Sequence, residues 1–106
     1  MSVVETPLNV TITREGADVV LALEGEIDLA SRRLLNDCLR RAADDVEGAL
    51  VVDLAGVTFM DSTALQSLIR ARLQLEPTGR RVVVRNPTDA IRRIFDLTGI
   101  TEAFGL

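Results

Sequence analysis

The chain has 106 residues, of which 47% are hydrophobic and 26% charged, and its net charge is -4. That length suits one small domain with a single core, and the balance is that of a folded globular chain rather than a disordered one. The acidic balance argues against direct nucleic-acid binding, which draws on a basic patch, and the absence of histidine argues against Ser-His-Asp hydrolysis, which needs a base titrating near neutrality.

Residues 1 to 7 read as a loose end closed by Pro7. From Leu8 to Thr13 the residues alternate, with Leu8, Val10 and Ile12 on one face and Asn9, Thr11 and Thr13 on the other, the pattern of a half-buried strand. A turn at Arg14 to Asp18 leads to a second, more apolar strand at Val19 to Glu24, so the two form a hairpin. After Gly25-Glu26-Ile27-Asp28 the period changes. Leu34, Leu35, Cys38, Leu39 and Ala42 recur at helical spacing within Ala30 to Asp45, and the polar residues take the other side.

Ala49 to Leu54 is continuously apolar up to Asp53, as a central buried strand should be. A connector containing Gly56 then leads through Phe59-Met60 to Asp61-Ser62-Thr63, where a second helix begins, with Leu65, Leu68, Ile69 and Leu73 as its apolar positions. It ends near Pro77-Thr78-Gly79, and Arg81 to Arg85 forms a fourth strand around Val82, Val83 and Val84. Asn86-Pro87 supplies a cap and a first-turn proline for the last helix, whose inner face is Ala90, Ile91, Ile94 and Phe95 and whose end is Gly99. Phe104 is expected to pack against the core.

The predicted order is β-β-α-β-α-β-α, an α/β domain over residues 1–106 with a mixed, mostly parallel sheet and an antiparallel N-terminal hairpin strand. Right-handed crossovers bring the carboxyl ends of the parallel strands to one rim, and such rims are where open α/β sheets place their functional residues. The expected rim gathers Asp28, Asp61-Ser62 and Asn86-Pro87.

Composition narrows the chemistry at that rim. All twelve strong bases are arginine, so a Ser-Lys pair is unavailable as well. With one cysteine and no histidine, a zinc site would have to be built almost wholly from carboxylates, against the metal's preference. No phosphate-binding glycine loop is present. No catalytic residue, cofactor or metal is therefore expected. Cys38 permits no internal disulfide and falls at a core spacing, which reads as a small buried hydrophobe. No segment approaches the roughly 20 apolar residues of a membrane span, and Met1 to Asn9 lacks a signal peptide's basic start and apolar centre. The expected compartment is the cytoplasm, without membrane insertion.

Two readings of the Asp61-Ser62-Thr63 step remain open from spacing alone. One of the three residues caps the helix, and Thr63 with Gln66 even fits a capping box. Alternatively, Ser62 is a modification site: a phosphate at a helix N-terminus is tolerated by the free N–H groups and the dipole. It would also add roughly -1.5 to -2 charges to any surface pressed against it.

Four stretches in order, Gly25-Glu26-Ile27-Asp28, Val51-Val52-Asp53-Leu54, Phe59 to Leu65 and Ile94 to Ile100, resemble the STAS domain. They are most similar to the bacterial anti-sigma factor antagonists, over about residues 8 to 105. The resemblance implies a binding module in a partner switch. The unphosphorylated protein would bind an anti-sigma factor, an ATP-dependent serine kinase, and so free a sigma factor. Phosphorylation of Ser62 would release the partner, and a serine phosphatase would reset the cycle. Asp28, Asp61, Ser62 and Thr63 would form the partner-binding surface. The family often has glycine where Ala64 stands, and it usually continues into a final strand and helix after the point reached at Leu106. A STAS scaffold or regulatory subunit of a transporter or stress-sensing complex is the alternative within the same fold.

Overall fold

In the computed structural model, residues 8–106 are described, and the loose end expected at residues 1–7 lies outside them. The alternating segment forms the edge strand β1 (Leu8–Glu15), joined to β2 (Asp18–Ile27) in antiparallel register from Leu8↔Gly25 to Glu15↔Asp18. Only Leu8 of its expected inner face is fully buried. Val10 is half-buried and Ile12 is 46% exposed, because the outer end of the strand leaves the helical layer behind.

β3 (Ala49–Met60) and β4 (Arg81–Arg85) add in parallel to give the order β1-β2-β3-β4. The mixed sheet and the β-β-α-β-α-β-α order are those the sequence predicts. The main difference is the length of β3, which continues past Leu54 through the connector expected around Gly56. Its first half pairs regularly, Val19↔Leu50 through Ala22↔Asp53. Beyond that the register slips twice, to Glu24↔Gly56 and then to Glu26↔Phe59 and Ile27↔Met60. Each slip inserts one extra residue into β3, a bulge that bends the strand and increases its twist. The buried residues Leu54, Val57 and Met60 accordingly recur every third position, which defeats a period-two reading. Two glycines permit this. Gly25 holds φ 111° beside the second slip, and a side chain at Gly56 would press its Cβ to 3.1 Å from that of Glu24.

Helices α1 (Arg32–Asp45) and α2 (Ser62–Leu75) lie side by side over the sheet. Leu35, Leu39 and Ala42 of α1 are buried, as are Leu65, Leu68, Ala71 and Leu75 of α2. The stripe on α2 thus ends on Ala71 and Leu75, and Leu73, expected inside, is 60% exposed. Cys38 is half-buried rather than buried, and its partial burial, the largest influence, pushes the thiol pKa up.

The last helix, α3 (Asp89–Thr98), starts later than the Asn86-Pro87 signal suggests. Its cap is Thr88, whose Oγ1 accepts from the Ile91 N–H at 3.3 Å, while Asn86 holds a left-handed φ of 58°. Ile91 and Phe95 point inward, and Ala90, expected on the same face, is exposed. Phe95 meets Phe104 edge-on with ring centroids 5.7 Å apart, so Phe104 packs as predicted, and Gly99 ends the helix at φ 74°.

Candidate functional site at the mouth of the second helix

The bulged extension of β3 determines what stands at the rim. Ile27 and Met60 are register partners, so the next residues, Asp28 and Asp61, leave adjacent parallel strands side by side. A hydrogen bond from the Asp61 N–H to the Ile27 carbonyl, 3.1 Å, ties the two exits together. Asn86-Pro87 does not join them. β4 ends opposite Asp53, with Arg85 as the register partner. That is seven residues short of Met60, or roughly 20 Å of strand. The expected three-part rim reduces to the β2–β3 corner. Asn86 instead donates to Asp53 at 3.4 Å, beside the Arg85–Asp53 ion pair at 3.2 Å.

Asp61 takes the extended backbone of an N-cap, with ψ -176°. Its Oδ1 accepts from the Thr63 N–H at 2.9 Å and from the Thr63 hydroxyl at 2.5 Å. The Thr63 hydroxyl is the main reason its carboxyl pKa lies below the ordinary value; backbone N–H bonds add to this and slight desolvation opposes it. Among the three residues left open by spacing, Asp61 is therefore the cap. Thr63 spends its hydroxyl on Asp61, so a Thr63–Gln66 capping box is not formed. Ser62, the first helical residue, is exposed and outside the capping bonds. Its hydroxyl stands at the positive end of a fourteen-residue helix.

Asp28 faces a different neighbourhood. Its N–H donates to the Ser31 hydroxyl oxygen at 2.9 Å, and its Oδ1 accepts from the Ser31 N–H at 3.1 Å, closing the turn into α1 reciprocally. The Ser31 hydroxyl is only 1% exposed and lies 3.2 Å from the Glu26 carbonyl. Sequence reasoning missed Ser31, although a serine three residues after an aspartate at a helix entrance is a readable signal. It also missed the exposed apolar residues flanking the corner, Leu29 at 69% and Phe59 at 48%.

The arrangement presents an exposed hydroxyl next in the chain to the Asp61 cap, at the corner where Asp28 leaves the adjacent strand. Among the described residues no three Cys, Asp or Glu side chains come together as a metal site, and no helix among them is long and apolar enough to cross a membrane.

The profile of the family described as "Mlab, STAS domain" matches residues 10–106. This chain belongs to the STAS family. Among its STAS relatives, the anti-sigma-B factor antagonist of Bacillus subtilis (strain 168) is 29% identical over 96 residues, spanning 90% of this chain and 86% of that protein. The crystal structure of an anti-sigma factor antagonist from Mycobacterium paratuberculosis superposes with a TM-score of 0.81 at 31% identity, over 93% of this chain and 84% of the other. The phosphorylated form of the Bacillus cell fate determinant SpoIIAA shares the fold, with a TM-score of 0.72 at 20% identity over 91% of this chain and 87% of that one. Ala64, where the resemblance leads one to expect glycine, is buried to 1% exposure. Its methyl faces the core, so the departure leaves the outer surface of the helix mouth unchanged.

Proposed function

We propose that this STAS protein is an anti-sigma factor antagonist working by partner switching in the cytoplasm, with Ser62 as the switch. The unphosphorylated chain binds an anti-sigma factor through the corner of Asp28, Asp61, Ser62 and Thr63, and this sets a sigma factor free. The anti-sigma factor is also a serine kinase: the Ser62 oxygen attacks the γ-phosphorus of ATP, the bond to ADP breaks, and the hydroxyl proton is released. A serine phosphatase returns the hydroxyl by hydrolysis. The protein is substrate and binding module in this cycle, and the nucleotide site belongs to the partner.

The observation that carries the reading is that Asp61 takes over the capping of α2 and leaves Ser62 exposed at its first position. A phosphate on that oxygen meets the positive end of the helix dipole, so the fold tolerates it. A docked partner does not, because it must desolvate a dianion close to Asp61 and Asp28. About 3 kcal/mol of that cost weakens binding roughly a hundredfold.

The test is titration of a purified anti-sigma factor kinase from the same genome against Ser62→Ala and Ser62→Asp variants. Ser62→Ala binds as the unmodified protein does and cannot be released by ATP, whereas Ser62→Asp binds poorly. Equal affinities for the two variants would remove Ser62 from the interface, and stable recovery of the protein in a transporter or large sensing assembly would favour the scaffold role.

A further inference from the structure

The cleft between α1 and α2 has a volume of about 260 Å³ and is edged by Asn36, Arg40, Arg70 and Gln74. Its floor is shallow, formed by Leu39 and the single methyl groups of Ala43 and Ala71 beside the buried Ser67, whose hydroxyl donates to the Thr63 carbonyl at 3.1 Å. A second concavity, edged by Leu29, Arg32 and Arg33, shares Asn36 and Arg40 with the first, so the two form one trough along α1. Four arginines line it against one carboxylate, Asp37, which pairs with Arg40 at 2.8 Å. In a chain of net charge -4 this is a local reversal of sign.

The trough also adjoins the helix that carries Ser62. Ser62, Gln66 and Arg70 are four residues apart and all exposed, so they share the outer ridge of α2. Eight residues of helix place Arg70 about 12 Å along the axis from Ser62, beyond the Debye length of about 8 Å at physiological salt.

We infer that this α1–α2 trough docks an acidic helical segment of the anti-sigma factor, as a second contact alongside the Ser62 corner. The inference rests on the function proposed above. The charge of the trough selects carboxylates, and its alanine floor lets a third helix approach two that already lie side by side. A phosphate polymer fits less well, since it has no apolar side chains to set against Leu39, Ala43 and Ala71. Because Arg70 lies beyond the screening length from Ser62, its contribution is the same whether or not Ser62 carries charge.

The test measures binding of a purified anti-sigma factor kinase from the same genome to the full chain carrying Arg40→Glu with Arg70→Glu. Arg92→Glu with Arg93→Glu on α3 serves as the control, and a single Arg70→Ala variant guards against misfolding. The expected result is a loss of tenfold or more for the trough variant, a smaller loss for Arg70→Ala, a shallower dependence on salt for both, and no change for the control. The same fold-loss is expected in Ser62→Ala and Ser62→Asp backgrounds. Trough variants that bind like the unmodified chain, or lose no more than the α3 control, overturn the inference while leaving the Ser62 switch intact. Anionic vesicles or RNA bound by the unmodified chain and lost in the trough variant, with kinase binding retained, overturn it in favour of those ligands. An unmodified chain that binds no such kinase sinks the proposed function itself, and the trough inference with it.

Discussion

At the mouth of α1, Ser31 lies three residues after Asp28 and is buried, its hydroxyl and N–H exchanged with the aspartate in a closed turn. At the mouth of α2, Ser62 lies one residue after Asp61 and is exposed, because the aspartate turns instead to Thr63. The two entrances leave neighbouring strands through the Ile27↔Met60 pair, so their difference is local. It lies in which residue satisfies the carboxylate. Where serine does so, its hydroxyl becomes structural; where threonine does so, the serine is left free to be modified.

The comparison breaks most visibly in binding. Ser62→Asp should weaken association with the anti-sigma factor roughly a hundredfold, about 3 kcal/mol, measured by calorimetric titration. A change of less than threefold would mean that exposure at the helix mouth has no bearing on partner affinity. The opposite substitution belongs to the other entrance. Ser31→Ala should cost about 1–3 kcal/mol of folding stability in urea denaturation, since it strips a buried turn of its partner group. The same measurement on Ser62→Ala should stay within about 0.5 kcal/mol of the unmodified protein, as for exposed positions generally. Equal losses at the two serines would erase the distinction between them.

Much of this contrast was legible in the sequence, and the part that was not has a physical cause. The Asp61-Ser62-Thr63 step and the helix behind it could be read because an apolar strand, a polar break and a helical period follow in sharp succession. Which of the three residues caps the helix could not, since all are competent and only the side-chain geometry decides. The rim departs from the sequence expectation at β4. Two bulges, at Ala22/Glu24 and Gly25/Glu26, let β3 run on to Met60 while β4 stops beside Asp53, and a bulge erases the alternation by which a strand is recognised. The sequence pattern starts α3 too early, because Thr88 rather than Asn86 supplies the capping oxygen. Hydrophobicity alone predicts Leu73 on the inner face, yet the stripe continues on Ala71, a residue too small to announce itself.

A smaller effect sharpens the account of the second entrance. Asp61→Ala should cost about 1 kcal/mol, the usual loss for a cap. The carboxyl of Asp61 has a lowered pKa in the folded protein, chiefly through the Thr63 hydroxyl. Its ionisation therefore favours folding above the ordinary carboxylate range, and the benefit is lost as pH falls through the folded-state value. Asp61→Asn, which can still cap, should accordingly lose less stability on acidification than the unmodified chain when urea midpoints are followed from neutral pH downward. Parallel pH profiles would mean that the carboxylate contributes nothing as a charge.

The most direct measurement of the central claim is intact-mass analysis of the protein purified from its own cells, with peptide mapping across Val57 to Arg70. The expected result is a fraction carrying phosphate on Ser62, with Thr63 unmodified because its hydroxyl is held by Asp61, and changing in size between resting and stressed cells. A chain that is unmodified under both conditions, or modified on Thr63 alone, would contradict it.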